Sequence, residues 1–304
     1  MAGAAAGAGK VVAMTGGARG IGFATATRLH HLGAKVAIGD IDEAAVKEAG
    51  AVIGLDVYAK LDVTERESFV EFLDDVERRL GPLDVLINNA GICPTGKVID
   101  EPDAVTERIL AVNVFGVILG TKLAAERMLR RGRGHVINIA SLAAVTPIPG
   151  IATYSASKHA VLGFTDATRL ELRGTGVNFS AVLPNLTNTE MIAGIPPVRG
   201  MRNAEPADIA EAIVGLIGKP KPHVTVTRAA GVITAATRRL LPQAAAEVVA
   251  RALEPTRYSP AQSMSTSVAP TNVAHAVKRT DRKLADFYLR AADPQIPQPS
   301  CRSR

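Results

Sequence analysis

The chain has 304 residues, with 35 Lys and Arg against 29 Asp and Glu, a formal charge of +6 with histidine neutral. Hydrophobic residues make up 47% of it, so a chain of this length buries a core of ordinary size without a disulfide or metal staple. Its two cysteines, Cys93 and Cys301, lie far apart without metal-ligand spacing, which argues against a disulfide scaffold or a zinc site and for free thiols in a reducing compartment.

Eight basic and three acidic residues between Arg257 and Arg304 carry +5 of the total charge. The body before them is therefore near neutral and has no electrostatic footprint for nucleic acid. No run of about 18 apolar residues marks a membrane span. Met1 to Gly9 is Ala and Gly after the initial Met, without the basic and apolar regions of a signal peptide, and is expected to be a flexible leader in a cytoplasmic protein.

Lys10 to Met14 is a short apolar run that passes directly into a glycine-rich turn and a helical pattern over Ile21 to Leu32. Lys35 to Gly39 is a second such run, and a third strand ends near Leu61. Thr64 to Leu80 is helical, with Thr64 and Glu67 at capping-box spacing. Leu83 to Ile87 predicts a fourth strand, Ala104 to Arg130 a long helix, and His135 to Ala140 a fifth strand. Then follow a helix over Tyr154 to Arg173 and a sixth strand over Val177 to Leu183. A helix over Glu205 to Ile217 has Pro206 in its first turn, and His223 to Thr227 is a seventh strand. The strand runs are apolar without alternation, as strands buried on both faces are. Regular alternation of strand and helix predicts an α/β fold: a Rossmann-like doubly wound parallel sheet of about seven strands flanked by helices.

Beyond Thr227 the rhythm changes. Ile233 to Leu241 and Ala244 to Leu253 predict two short helices around Pro242, and Asn272 to Ala291 a basic helix. The Ser, Thr and Pro of 255–270 and the prolines of 294–304 predict disorder. The expected organisation is a leader over 1–9, one domain over 10–254, and a basic, partly helical and partly disordered extension over 255–304. That extension is either a solvated tail or a weak contact with anionic membrane surfaces.

Thr15 to Gly22 reads T-G-G-A-R-G-I-G between the first strand and the first helix. Glycine allows a tight turn and close approach of a ligand to the backbone, and the helix start offers free N–H groups to a diphosphate. The acidic residue that can accept from the adenosine ribose hydroxyls is Asp40, with Ile41 beside it, about 20 residues past the loop. A carboxylate there repels a 2′-phosphate, which favours NAD over NADP; Arg19 in the loop is a counterweight. Tyr154 and Lys158 stand four residues apart, on one face of a helix. A free tyrosine has a pKa near ~10, and a nearby ammonium lowers it towards the range useful for general acid–base catalysis. Alone, such a pair is also compatible with an exposed helix face.

The G-x-x-x-G-x-G of Gly16, Gly20 and Gly22, with Asn88-Asn89-Ala90-Gly91, Ser141 and Tyr154-Ser155-Ala156-Ser157-Lys158, resembles the conventional-type short-chain dehydrogenase/reductases from about Lys10 to about Thr227. The resemblance implies that Asn113, Ser141, Tyr154 and Lys158 are catalytic. Tyr154 would exchange the substrate proton, with Ser141 on the substrate oxygen, Lys158 on the nicotinamide ribose and Asn113 keeping a water for proton relay. It implies a dinucleotide held by Gly16, Ala18, Arg19, Gly20, Ile21, Gly22, Asp40, Ile41, Asp62, Val63, Asn89, Ala90, Gly91, Tyr154, Lys158, Pro184, Thr187 and Thr189. Asn185 replaces the glycine that usually follows Pro184.

Ser141, Ala143, Ile148, Tyr154 and Met191 are the candidate substrate residues, joined in an apolar lining by Val145, Pro149, Ile151 and Ile192, and 190–203 is the expected lid. The lining points to a lipophilic alcohol or ketone such as a steroid, retinoid or fatty alcohol. The Pro184 turn and Leu240-Leu241-Pro242 also resemble the retinol and hydroxysteroid branch. The expected reaction is NAD(P)-dependent interconversion of an alcohol and its carbonyl by a homodimer or homotetramer, without a metal. The alternatives are a non-catalytic dinucleotide-binding redox sensor, a tail-driven nucleic-acid binder and an extended sugar-nucleotide epimerase, whose loop spacing this chain does not follow.

Overall fold

The computed structural model describes residues 7–146, 148–192 and 202–226. Most of the expected lid, the two short helices around Pro242, the basic extension and the leader before Gly7 lie outside the described residues.

Seven parallel strands form one sheet in the order β3-β2-β1-β4-β5-β6-β7. They are β1 Val11–Thr15, β2 Lys35–Asp40, β3 Val57–Lys60, β4 Val85–Asn88, β5 Gly134–Ile139, β6 Val177–Leu183 and β7 His223–Thr225. Every residue of β1 and of β4 is buried, as continuous apolar strands between two helical layers must be. Strand order reverses between β1 and β4, and the crevice at their carboxyl ends is where such sheets take ligands.

The helices are α1 Gly20–His31, α2 Glu43–Ile53, α3 Arg66–Leu80, α4 Asp103–Leu110, α5 Gly116–Leu129, α6 Ala152–Glu171 and α7 Pro206–Gly218. On one sheet face Ala26 and Leu29 of α1 and Ile209, Ile213 and Val214 of α7 pack on Val12, Val36 and Val182. On the other, Phe69 and Leu73 of α3 and Leu119 and Leu123 of α5 cover Ala13, Leu86 and Val136. α6 buries Val161 and Leu162 against Ala140, Ala181 and Leu183, which fixes its start beside the end of β5.

Three departures from the expected elements have local causes. α2 lies in a stretch without a predicted helix; Asp42 caps it by accepting from Ala45 N at 3.1 Å. Gly50 in its interior disguises it, yet Tyr58 packs so closely there that a Cβ would stand 2.2 Å from its ring. The capping box at Thr64 does not form. Thr64 instead donates its N–H and hydroxyl to Asp62 Oδ1, at 2.9 and 2.6 Å, and α3 starts after Glu65 without a side-chain cap. The long helix is interrupted by a π turn over Ala111–Phe115 between α4 and α5. The whole run Asp103–Leu129 has the length and composition of a membrane span, contrary to the expectation of none, but 61% of its apolar window is buried in the fold, as in a core helix. α7 begins as expected, with Pro206 in its first turn and Glu205 and Asp208 completing a reciprocal capping box.

Candidate active site

The glycine loop after β1 is shaped by steric demand. Gly16 has φ +65°, and a Cβ on it would stand 2.8 Å from Ala90 Cα; a Cβ on Gly22 would meet Gly16 O at 2.0 Å. Asn89 clamps the loop, donating from Nδ2 to Thr15 O at 3.1 Å and Gly16 O at 2.8 Å. Thr15 Oγ1 accepts in return from Asn89 N and Ala90 N, both at 3.0 Å. Asn89 and Ala90 therefore hold the loop's shape from the neighbouring strand end. Gly20 opens α1 with φ +53° and lies against Thr189 Cγ2. The first turn of α1 has no side-chain cap and no acidic residue, so its N–H groups and positive dipole end point into the crevice. This cradle, with Ala18, Gly20, Ile21 and Gly22 along it, fits a dinucleotide diphosphate.

Asp40 ends β2 at the mouth of the loop. Its Oδ2 accepts from Ala18 N and its Oδ1 from Asp42 N, both at 3.2 Å. Burial raises its pKa, partly offset by those two N–H groups and by Arg19. Ile41 follows it on the turn. Asp62 and Val63 stand past β3; Oδ1 of Asp62 is engaged by Thr64, and Val63 is buried against the π-turn end at Gly116. Past β6, Pro184 O accepts from Leu142 N at 2.8 Å, tying this loop to the start of the Ser141 turn. Thr187 is buried, with its hydroxyl committed to Asn185 O at 2.9 Å, whereas Thr189 stands over the glycine loop. Asn185 Nδ2 donates to Arg202 O at 2.8 Å, so the residue in the usual glycine's place braces the loop.

The expected catalytic residues come together at the ends of β4 and β5 and the start of α6. Lys158 is almost fully buried, donates from Nζ to Ile139 O at 2.9 Å, and lies 5.6 Å from the Tyr154 ring centroid. Ser141 caps the short turn after β5 by accepting from Ala143 N at 3.1 Å, and its hydroxyl is near enough to the Tyr154 phenol to pull that group's pKa down. Asn113 sits in the π turn. Its side chain pairs with both backbone groups of Ile92, N–H and C=O, each at 2.9 Å, and donates to Ser157 Oγ at 3.1 Å. A buried amide is costly unless paired; here Asn113, carried on the π turn, pairs both side-chain polar atoms with the loop after β4.

The electrostatics differ from the simple expectation. Burial pushes the Tyr154 phenol above the ordinary tyrosine range, with Ser141 pulling the other way, and brings Lys158 down to about 8. Desolvation is the largest influence on both groups, and it outweighs the charge attraction that the four-residue spacing suggests.

Beside Tyr154 lies an apolar cluster of Cys93, Ala143 and Ile151, with Ile148 and Met191 packed on it. Cys93 is a lining residue that the sequence reading left out. Burial pushes its thiol up to about 12, so it is a neutral wall rather than a nucleophile. Its place directly after the Asn89-Ala90-Gly91-Ile92 turn was the available signal. Val145 packs instead with the α6 cluster, and Pro149 is exposed. The side chain of Ile192 lies outside the described residues.

The short chain dehydrogenase family model matches residues 10–199. The chain is 33% identical over 258 residues to the "Probable oxidoreductase EphD" of Mycobacterium tuberculosis, covering 77% of this chain but only 43% of that protein. It is 35% identical over 235 residues to 2-(S)-hydroxypropyl-CoM dehydrogenase 3 of Xanthobacter autotrophicus, covering 71% of this chain and 92% of that protein. A 3-alpha-(or 20-beta)-hydroxysteroid dehydrogenase of M. tuberculosis is 35% identical over 222 residues, 71% of this chain and 85% of the other. Among solved structures, a 3-ketoacyl-(acyl-carrier-protein) reductase from Brucella melitensis, complexed with NADH, superposes with a TM-score of 0.66 at 27% identity, covering 73% of this chain and 98% of that one. Fold, motif order and these likenesses agree: the chain belongs to the short-chain dehydrogenase family.

Proposed function

We propose that this protein interconverts a lipophilic alcohol and its carbonyl compound with NAD. The observation that carries the reading is the assembly of Ser141, Tyr154 and Lys158 past the carboxyl end of β5, beside an apolar cluster and with Lys158 close to Gly91 in the turn that braces the glycine loop. The bound nicotinamide supplies or takes up the hydride. In the oxidising direction Tyr154 Oη takes the substrate hydroxyl proton, and in the reducing direction it returns one to the carbonyl oxygen. Ser141 Oγ holds that oxygen beside the phenol. Lys158 compensates the phenolate as it forms, in a buried site where charge interactions are strong. Asn113 fixes the turn through Ile92 and so keeps the floor of the site in place. The phosphate loop, Asp40 and Thr189 hold and orient the dinucleotide.

Cys93, Ala143, Ile148, Ile151 and Met191 offer the substrate apolar surface, which favours a hydrophobic secondary alcohol or ketone over a sugar or an acid. The likeness to a hydroxysteroid dehydrogenase supports that class. The protein also pairs with copies of itself through α4–α5 and α6, where Leu110, Phe115, Leu129 and Leu170 are exposed. The test is a screen of hydrophobic alcohols and ketones with both dinucleotides, followed at the nicotinamide absorbance. The expected result is turnover with NAD and an apolar secondary alcohol; NADH binding with no turnover across the panel would instead indicate a sensor.

A further inference from the structure

The corner between the glycine loop and the end of β2 holds more charge than the ribose role of Asp40 requires. Arg19, the residue that leads α1, turns its guanidinium towards the segment after β2. There Nη2 donates to Asp42 Oδ2 at 2.8 Å, while Nε stands 3.8 Å from Glu190 Oε2. Asp42 is 17% exposed and makes the direct hydrogen bond; Glu190 is 71% exposed and beyond hydrogen-bond reach, so solvent screens it. Asp40 Oδ2 accepts from the N–H of Ala18, the residue next to Arg19, at 3.2 Å. A group placed on the ribose that Asp40 serves would therefore arrive beside this guanidinium.

An arginine fork is well shaped to bind a phosphate. If Arg19 faced the ribose with its charge uncompensated, it would offset the repulsion of Asp40 and admit the phosphorylated dinucleotide. We infer that Asp42 is a specificity-determining residue: by holding Arg19 in an ion pair, it withholds from a 2′-phosphate the cation that would welcome it. This rests on the dinucleotide reading of the site. It makes the preference for NAD the work of two carboxylates with separate tasks. Asp40 accepts from the ribose hydroxyls, and Asp42 neutralises the neighbouring arginine.

Asp42 has a second task that dictates the variant. Its Oδ1 caps α2 by accepting from Ala45 N at 3.1 Å, so truncation to alanine would fray the helix. Asp42→Asn keeps a good capping acceptor and removes the charge. The readout is the dissociation constant of the full chain for NADH and for NADPH, from nicotinamide fluorescence, which needs no turnover. The wild type is expected to favour NADH. Asp42→Asn should tighten NADPH roughly tenfold, the worth of one charge-assisted hydrogen bond, and leave NADH within about twofold. Adding Arg19→Ala should abolish the gain. An unchanged NADPH-to-NADH ratio in Asp42→Asn, with thermal stability retained, overturns the inference alone, as does a gain that persists without Arg19. A wild type that prefers NADPH also overturns it. A wild type that binds neither dinucleotide overturns the dinucleotide reading and this inference together.

Discussion

The two halves of the crevice are built on different principles. On the β1–β4 side the working parts are backbone: glycines without room for a Cβ, a bare helix start, and Thr15 and Asn89 bracing the turn from behind. On the β5–β6 side they are side chains whose chemistry is set by burial: a phenol, a buried ammonium, a hydroxyl and an apolar wall. A substitution on the first side should act through shape and register as a loss of dinucleotide binding. One on the second should act through protons and substrate fit and leave the dinucleotide in place.

The largest expected effect is on the second side. Tyr154→Phe keeps the ring and its packing but removes the exchangeable proton, so turnover should fall by about 10²–10⁴-fold. NADH binding, read by fluorescence, should change little; loss of both together would mean that the halves are not separable. Gly22→Ala sharpens the comparison from the other side. Its Cβ would stand 2.0 Å from Gly16 O, and overpacking of this kind costs about 1–3 kcal/mol. NADH affinity should fall by tenfold or more, while tritium exchange of core amides stays near wild type.

A third prediction concerns the far end of β5. His135 is buried, and Ser180, whose hydroxyl donates to Lys221 O at 2.6 Å, stands 2.8 Å from His135 Nε2. Ser180 therefore accepts from Nε2–H, and Nδ1 is left without a partner among the described residues. Burial lowers this histidine from 6.5 to about 4. The unfolded chain thus binds the proton more readily between those values, and stability falls as pH drops from about 7 to about 4. The expected loss is about 3 kcal/mol, measurable by urea unfolding and much reduced in His135→Gln. A flat wild-type profile over that window would contradict it. The smallest effect is expected at the substrate wall. Met191→Ala should raise KM for a bulky apolar alcohol severalfold, about 1 kcal/mol of lost burial, with kcat nearly kept.

What could be read from the chain follows the same division. β6 runs over Val177–Leu183 as expected, and the other strands shift by a residue or two, because apolar β-branched runs bounded by Gly and polar turns have few alternatives. The glycine loop was legible because backbone geometry demands residues that stand out. α2 was not, since Gly50 imitates a helix breaker while serving the packing of Tyr58. The π turn hides in an unbroken apolar pattern, and only the misplaced amide of Asn113 hints at it. The Thr64 capping box lost to a local competitor, Asp62, that spacing alone does not weigh. The packing of Cys93 beside Tyr154 and the bracing of Asn185 on Arg202 depend on which loops meet across the sheet edge; the place of Cys93 after the Asn89 turn hints at the first, and no local pattern records the second.

The central claim is that a hydride leaves the substrate carbon while Tyr154 handles the proton. It is tested most directly with an alcohol deuterated at the carbinol carbon, by following the label into the reduced dinucleotide by mass spectrometry. The wild type should move the deuterium to the dinucleotide, and Tyr154→Phe should do so at least about a hundredfold more slowly with NADH affinity unchanged. Reduced dinucleotide without the label, or equal rates in the two proteins, would contradict the account.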